Sequence, residues 1–274
     1  MNRLSIASRV QVVASLVEGV GINATCRMTG VSKPTVLKLL ADLGNACYAY
    51  HDAHVRGLKC KRIQCDEIWS FVGAKQKNVS EEKMAAGWGD VWTWTAIDAD
   101  SKLMVSYLVG QRGLHWAKQF MEDVALRVNS RVQITTDGHR AYLEAVEGAF
   151  GMDVDFAVLI KLYGNPANPD TRYSPGEVIG TETQVVTGGP DPKHISTSYV
   201  ERQNLTMRMS MRRFTRLTNA FFKKLVNHEA AIALHYMHYN FCRIHKTLRV
   251  TPAMEAGLSD HVWNLGELVA LLPV

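Results

Sequence analysis

"RIQCDEIWSFVG", residues 62–73, is where the chain changes from helical to extended grammar. β-branched and aromatic residues crowd it, whereas the apolar residues ahead of it recur at helical spacing. Downstream, "VWTWTAID" (91–98) and "KLMVSYLVG" (102–110) flank a turn at 99–101, so three strands follow one another. "HWAKQFMEDVALRV" (115–128) then sets Trp116, Phe120, Val124 and Val128 on one side of an amphipathic helix. "VQITTDG" (132–138) reads as a short strand ending in a turn, "HRAYLEAVEGAF" (139–150) as a helix, and "VDFAVLIKLYG" (154–164) as a strand.

Three strands, helix, strand, helix, strand and then helices is the order of an α/β, ribonuclease-H-like fold, a mixed sheet with helices on both faces. Residues 164–197 interrupt it. They hold five of the eight prolines and no helical period, which predicts a loop or small β insertion. Beyond it the pattern is helical to about Cys242.

Ahead of residue 62 the expectation is an all-α helix-turn-helix domain over 1–50 and a linker over 51–60. "INATCRMTGVSKPTVLKLLADLG" (22–44) gives a short helix, a turn at Thr29-Gly30-Val31, and a second helix from about Lys33 to Leu43. Ser32 is placed to cap the second helix, and Pro34 is tolerated in its first turn. Val31, Val36, Leu39, Leu40 and Leu43 form its core side. Ser32, Lys33, Thr35 and Lys38 stay on the free face near its start, where a recognition helix meets DNA. An ordinary helical hairpin is the plainer alternative. The expected division is completed by a ribonuclease-H-like domain over 61–250 and a tail over 251–274.

Composition limits the function classes. The net charge of +5 is mild, yet between Glu201 and Lys224 there are seven Lys or Arg and one acid. That asymmetry suggests a polyanionic partner. Five cysteines without paired CxxC spacing argue against a disulfide framework or zinc ribbon. No leader-like or membrane-spanning run is present, so a cytoplasmic protein without a membrane partner is expected.

Three carboxylates stand at informative places. Asp66 is within the first strand, Asp137 just past the fourth, and Glu201 at the start of the helix after the insertion. Side chains converging from such rigid supports suit hard divalent cations, which take oxygen ligands and can drive in-line phosphoryl transfer in pairs. Each also has a plainer reading. Asp66 and its neighbour Glu67 point to opposite faces of a strand, so pattern alone does not choose between them. Asp137 fits a turn residue, and Glu201 a carboxylate favoured by the helix dipole. On the same helix, Val200, Met207, Met211, Phe214 and Phe221 make an apolar stripe. Glu201, Asn204, Leu205, Arg208, Arg212 and Thr215 make a second. His139 reads as an exposed turn residue, and Trp69, Trp92 and Trp94 as core.

"CDEIWSFVG", "TDGHRAY", "YVERQNLTMRMSMRRFTRLTNAFFKK" and "YNFCRIHKTLRVTPAMEAGL" resemble the signature blocks of insertion-sequence transposases of the Asp-Asp-Glu (DDE) type, and especially those of the insertion sequence one family. The similarity covers roughly residues 60–258. It implies Asp66, Asp137 and Glu201 as catalytic and metal-binding residues, with Mg²⁺ or Mn²⁺, two ions in all, as cofactor. It implies double-stranded DNA, both transposon ends and target, as partner. A homodimer or higher homo-oligomer follows from the need to process two ends together. Arg208 and Arg212 are expected on DNA phosphates, and Asn204, Arg243 and His245 as supporting residues. The cysteine-rich zinc-binding segment of some family members has no counterpart here. A metal-dependent nuclease without strand transfer, or a DNA-binding regulator with an inert core, are the alternatives.

Overall fold

The computed structural model describes residues 4–164, 177–215 and 219–272. Three helices open the chain: α1 (Ile6–Val17), α2 (Ile22–Thr29) and α3 (Lys33–His54). Next come β1 (Arg62–Val72), α4 (Glu81–Ala85), β2 (Gly89–Asp98), β3 (Met104–Gly110), α5 (Leu114–Arg127), β4 (Val132–Thr136), α6 (Ala141–Phe150) and β5 (Val154–Tyr163). The remainder comprises β6 (Val178–Thr187), α7 (Ser198–Ser210), α8 (Leu225–Met237), α9 (Pro252–Glu255) and α10 (Leu265–Ala270).

The six strands form one mixed sheet in the order β3-β2-β1-β4-β5-β6. β1, β2 and β3 pair antiparallel, β1, β4 and β5 pair parallel, and β6 returns antiparallel on β5. This arrangement is consistent with the ribonuclease-H-like core expected from the element order. The sixth strand is an addition. The expected insertion at 164–197 falls partly outside the described residues, but its second half is β6, with Thr181 opposite Lys161.

Helices cover both faces, as side-chain contacts from β1 show. Gln64 and Asp66 meet α7 on one face, while Glu67 meets Tyr142 of α6 on the other. Of the three tryptophans expected in the core, Trp94 is fully buried. Trp69 and Trp92 form a half-buried cross-strand pair instead, with Lys75 over the first ring and Arg112 over the second.

Gly30, at φ 70°, ends α2 in the left-handed region and lets the chain turn into α3. α3 does not stop near Leu43 as periodicity suggests; it continues unbroken to His54. Its extension is tertiary in origin. Gly44 lies against α8 so closely that a Cβ there would fall 2.4 Å from the Ala230 Cα. His51 is buried and shares a 3.1 Å hydrogen bond with the Met104 carbonyl. The N-terminal helices thus join the sheet in one hydrophobic cluster that includes Val12, Leu40, Leu43, Met104 and Leu234. The last segment joins it too, through Leu268 and Val269 of α10.

The helix bearing Glu201 is shorter than its apolar stripe. Val200, Met207, Met211 and Phe214 are all buried, but α7 ends at Ser210 and Met211 is extended. The Ser210 carbonyl lies close against Gly19 in the turn between α1 and α2, where a Cβ would fall 2.7 Å from it. Arg212 therefore lies in a separate single turn, 212–214, and does not continue the face of Glu201. The chain is not continuously helical from there to Cys242, since α8 begins only at Leu225.

Candidate active site

β4 ends opposite β1 at the pair Cys65↔Thr136. Asp66 is the next residue of β1, and Asp137 the next after β4. Both therefore sit where two parallel strands part, at the carboxyl end of β4, the usual place for a ligand crevice in open α/β sheets. Thr95 of β2 donates its hydroxyl to the Asp66 carbonyl at 2.9 Å and holds the backbone from the other side.

α7 is docked on β1 by Gln64. Its Oε1 accepts the backbone N–H groups of Tyr199 at 2.7 Å and Val200 at 3.2 Å, two of the donors a helix start leaves unpaired. One turn on, Asn204 Nδ2 donates to Asp66 Oδ2 at 2.8 Å. Glu201, three residues before Asn204, is held by two groups: the Thr197 hydroxyl donates to Oε1 at 2.5 Å, and Lys161 of β5 ion-pairs with Oε2.

One carboxylate oxygen each from Asp66, Glu67 and Asp137 come within 4.8 Å of one another. Glu67 reaches this cluster from the opposite face and is compensated there. Arg112 Nε donates to it at 2.7 Å and the Tyr142 hydroxyl at 3.2 Å. Burial, then the Asp137 charge, raises its pKa against the lowering pull of Arg112. Asp66 is pushed up further, to about 7, by burial and by Glu67 and Asp137, with Glu201 adding to the repulsion. His139 is half-buried, not an exposed turn residue. Its ring lies 5.8 Å from that of Trp94 and its Nε2 is 4.0 Å from Glu67. Burial and Arg112 lower its pKa, and its Nε2 has no hydrogen-bond partner.

The charge balance favours a cation. Arg112 answers Glu67 and Lys161 answers Glu201, but among the described residues no basic side chain ion-pairs with Asp66 or Asp137. The buried Asn204 Oδ1 also lacks a partner. An all-oxygen donor set with surplus negative charge fits a hard divalent ion.

Other expected residues lie elsewhere. Arg208 is exposed near the end of α7, and Arg212 is exposed beyond it. His245 bonds Thr247 at 3.0 Å and feels Lys102 and Arg243, which lower its pKa after burial. Lys102 belongs to the turn after β2, which is bonded to the Arg62 end of β1, away from Asp66. Ser32, at the start of α3, pairs its hydroxyl with Thr35 at 2.8 Å. Lys33 is exposed, and Lys38 is ion-paired with Asp42 at 2.6 Å. Pattern offers Glu67 only as an alternative to Asp66, whereas the structure brings both to the cluster, and pattern gives no role to Lys161. A lone lysine inside the apolar strand "VDFAVLIKLYG" was the available signal for that residue.

No protein-family profile matches the chain, and no curated protein matches it. Among solved structures it is similar to a cryo-EM structure of the piggyBac transposase synaptic complex with hairpin DNA. The identity is 11% and the TM-score 0.41, over 97% of this chain and 69% of the other. A likeness of that size bears on neither activity nor partner. Among the described residues no helix is long and apolar enough to cross a membrane.

Proposed function

We propose that this chain is a DNA transposase of the Asp-Asp-Glu type, related to those of the insertion sequence one family. It binds the ends of its element, cleaves the transposon–host phosphodiester and joins the freed 3′-hydroxyl to target DNA. The observation that carries this reading is the meeting of Asp66 and Asp137 at the end of β4 without a pairing cation, close enough to Glu201 for Asp66 to feel its charge.

Asp66, Asp137 and Glu201 are the residues that hold Mg²⁺ or Mn²⁺, two ions in all. Bound there, the metal supplies activation of the attacking water or hydroxyl and neutralisation of the leaving oxygen. The surrounding residues orient the ligands. Asn204 fixes Asp66, Thr197 fixes Glu201, and Gln64 sets the position of the whole helix, while Lys161 masks the second oxygen of Glu201 until metal binds. Glu67, tied to Arg112 and Tyr142, adds negative charge beside Asp66 that raises its affinity for any cation, proton included, so a divalent ion bound there would displace a proton from Asp66.

Residues 1–50 read the element ends, with Ser32, Lys33, Thr35 and Lys38 on the DNA side of α3. Arg208 and Arg212 contact the phosphate backbone beyond the acidic site, toward and past the end of α7, and Arg243 and His245 support DNA from the Arg62 end of β1. Residues 61–250 form the catalytic unit. The active form is a homodimer or larger homo-oligomer on DNA in a bacterial cytoplasm.

The test is cleavage and strand transfer on a plasmid carrying the DNA that flanks the gene, alongside gel-shift binding. Asp66→Asn, Asp137→Asn and Glu201→Gln should each abolish both reactions and leave end binding intact. Near-normal cleavage by any one of them removes that residue from the triad. Cleavage by the wild type without joining identifies a nuclease, and binding without either reaction a regulator.

A further inference from the structure

A cleft of about 1050 Å³ separates the α1–α2 turn from the segment after α7 and the first turn of α8. None of Asp66, Glu67, Asp137 and Glu201 lines it. Its charge is one-sided. Arg27, Lys33, Arg212, Arg213, Lys223 and Lys224 line it against a single acid, Glu18.

Exposed lysines and arginines alone would describe an ordinary solvated surface. Arg213 is different. Its guanidinium packs on the Phe222 ring at 3.7 Å, and its Nε and Nη1 are buried without a hydrogen-bond partner. Burial pushes its pKa down to about 9, which still leaves it charged at neutral pH. No carboxylate ion-pairs with it among the described residues. The buried groups that feel its field are His228 and His235, whose own pKa values burial holds at about 3, so both are neutral. Arg213 is half-buried overall, but buried guanidinium nitrogens without a partner are costly to keep, and an anion bound in the cleft would remove that cost.

Two helix starts open into the same space. Gly21, Ile22 and Asn23 begin α2, and Lys224 and Asn227 flank the first turn of α8. Neither helix has a side-chain cap or an acid in its first turn. Their free N–H groups and positive dipole ends add to the attraction for an anion. A guanidinium held flat on an aromatic ring is suited to phosphate oxygens.

We propose that this cleft binds a phosphate group of a nucleic-acid backbone, with Arg213 as its buried anchor and Lys223 and Lys224 at its mouth. The source of the phosphate rests on the DNA-acting reading above; the anion site rests on the cleft alone. A strand held here lies between the N-terminal helices and the α7–α8 segment.

The experiment uses the full chain without divalent ions. Melting temperature is compared in phosphate and in chloride at matched ionic strength, and affinity for a labelled random-sequence duplex is read by anisotropy. Phosphate should raise the wild-type melting temperature by about 3 °C, as ligand binding to the native state does. Arg213→Gln should remove that rise without lowering the melting temperature in chloride. It should also weaken duplex binding roughly tenfold. A double Lys223→Gln, Lys224→Gln variant, exposed and harmless to the fold, should reduce both effects and decides the matter if Arg213→Gln does not fold. Equal behaviour in phosphate and chloride overturns the site. A phosphate effect with duplex affinity unchanged in the variants overturns the nucleic-acid source and leaves a free-phosphate site. A wild type that binds no duplex sinks the transposase reading, while the phosphate comparison still decides the cleft.

Discussion

Asn204 Nδ2 donates to Asp66 Oδ2 at 2.8 Å, joining two residues 138 positions apart in the chain. The other end of the same amide, Oδ1, is buried and unpartnered beside the acidic cluster. Asn204→Ala should therefore lower the cleavage rate about 100-fold, as loss of precise positioning does, while DNA binding persists. Asn204→Asp brings a further carboxylate against Asp66. Its melting temperature should fall in chelator, and millimolar Mg²⁺ should recover most of the difference. A variant equally stable with and without metal would separate Asn204 from the site.

Lys161 ion-pairs with the Glu201 carboxylate, so on the proposed metal-binding role of Glu201 it competes with the ion. The pair is partly exposed, 28% and 38% for the two side chains, so its own contribution to stability is small, on the order of 0.5 kcal/mol. Lys161→Gln should leave the fold intact and tighten Mn²⁺ binding roughly three- to tenfold by calorimetry. Weaker Mn²⁺ binding in this variant would mean that the lysine pre-organises Glu201 rather than masking it.

On α3, Lys33 is unpaired while Lys38 is tied to Asp42. Lys33→Ala should weaken binding to the element ends and lower the salt slope by about one counterion equivalent. Asp42→Asn frees Lys38 and should strengthen binding a few-fold. Thr35, if it faces bases, should alter sequence preference and leave the salt slope unchanged. Deleting residues 1–50 cannot serve as the test, because it would strip α8 of the partner that buries Ala230, Ala231 and Leu234.

Gly44→Ala puts two effects in opposition. Alanine favours a helix over glycine by about 1 kcal/mol. Its methyl, however, would lie 2.4 Å from the backbone of Ala230, a contact no side-chain rotation can relieve. Overpacking of this kind costs roughly 1–3 kcal/mol, so the clash should win. A lower denaturation midpoint with an unchanged slope is expected; a stabilised variant would show that α3 and α8 can separate freely.

Three buried histidines fix the acid side of the stability curve. Burial lowers His51 to about 4 and His228 and His235 to about 3, from an ordinary 6.5. The unfolded chain therefore takes up protons below pH 6.5 that the folded chain refuses. The histidines' share of stability is full above that value and lost as pH falls through the window toward 3, while Asp66 and Glu67, whose pKa values burial raises, oppose part of that loss. At pH 5.5 the loss should be roughly 1 kcal/mol per histidine. Urea unfolding at pH 7.5 and 5.5 measures it, and His228→Gln should shrink the difference. An unchanged difference would indicate that His228 is accessible to protons in the folded state.

The succession of elements through β5 and the places of Asp66, Asp137 and Glu201 along them are legible because each depends on local pattern: alternation, a turn after a strand, a helix start. The partners of those residues are not. Glu67 meets Arg112 and Tyr142, and Glu201 meets Lys161, only through the register of β1 and β5 against elements far along the chain. The end of α7 eluded the pattern for a similar reason. Its apolar stripe continues through Met211 and Phe214, but where the helix ends the chain packs against Gly19, nearly two hundred residues earlier.

The pairing of α3 with α8 also sets a timetable. β1 and β4 can unite Asp66 with Asp137 as soon as residue 137 has emerged from the ribosome, whereas Glu201 arrives only after the β5–β6 hairpin. The helix that seats α3 is made later still. A chain in mid-synthesis thus holds Asp66 beside Asp137 before α7 brings Glu201, and while α3 still lacks α8. The Asp66–Asn204 bond and the α3–α8 seam both wait on chain made after the β5–β6 hairpin, so neither can form while the strands of the sheet are still being laid down.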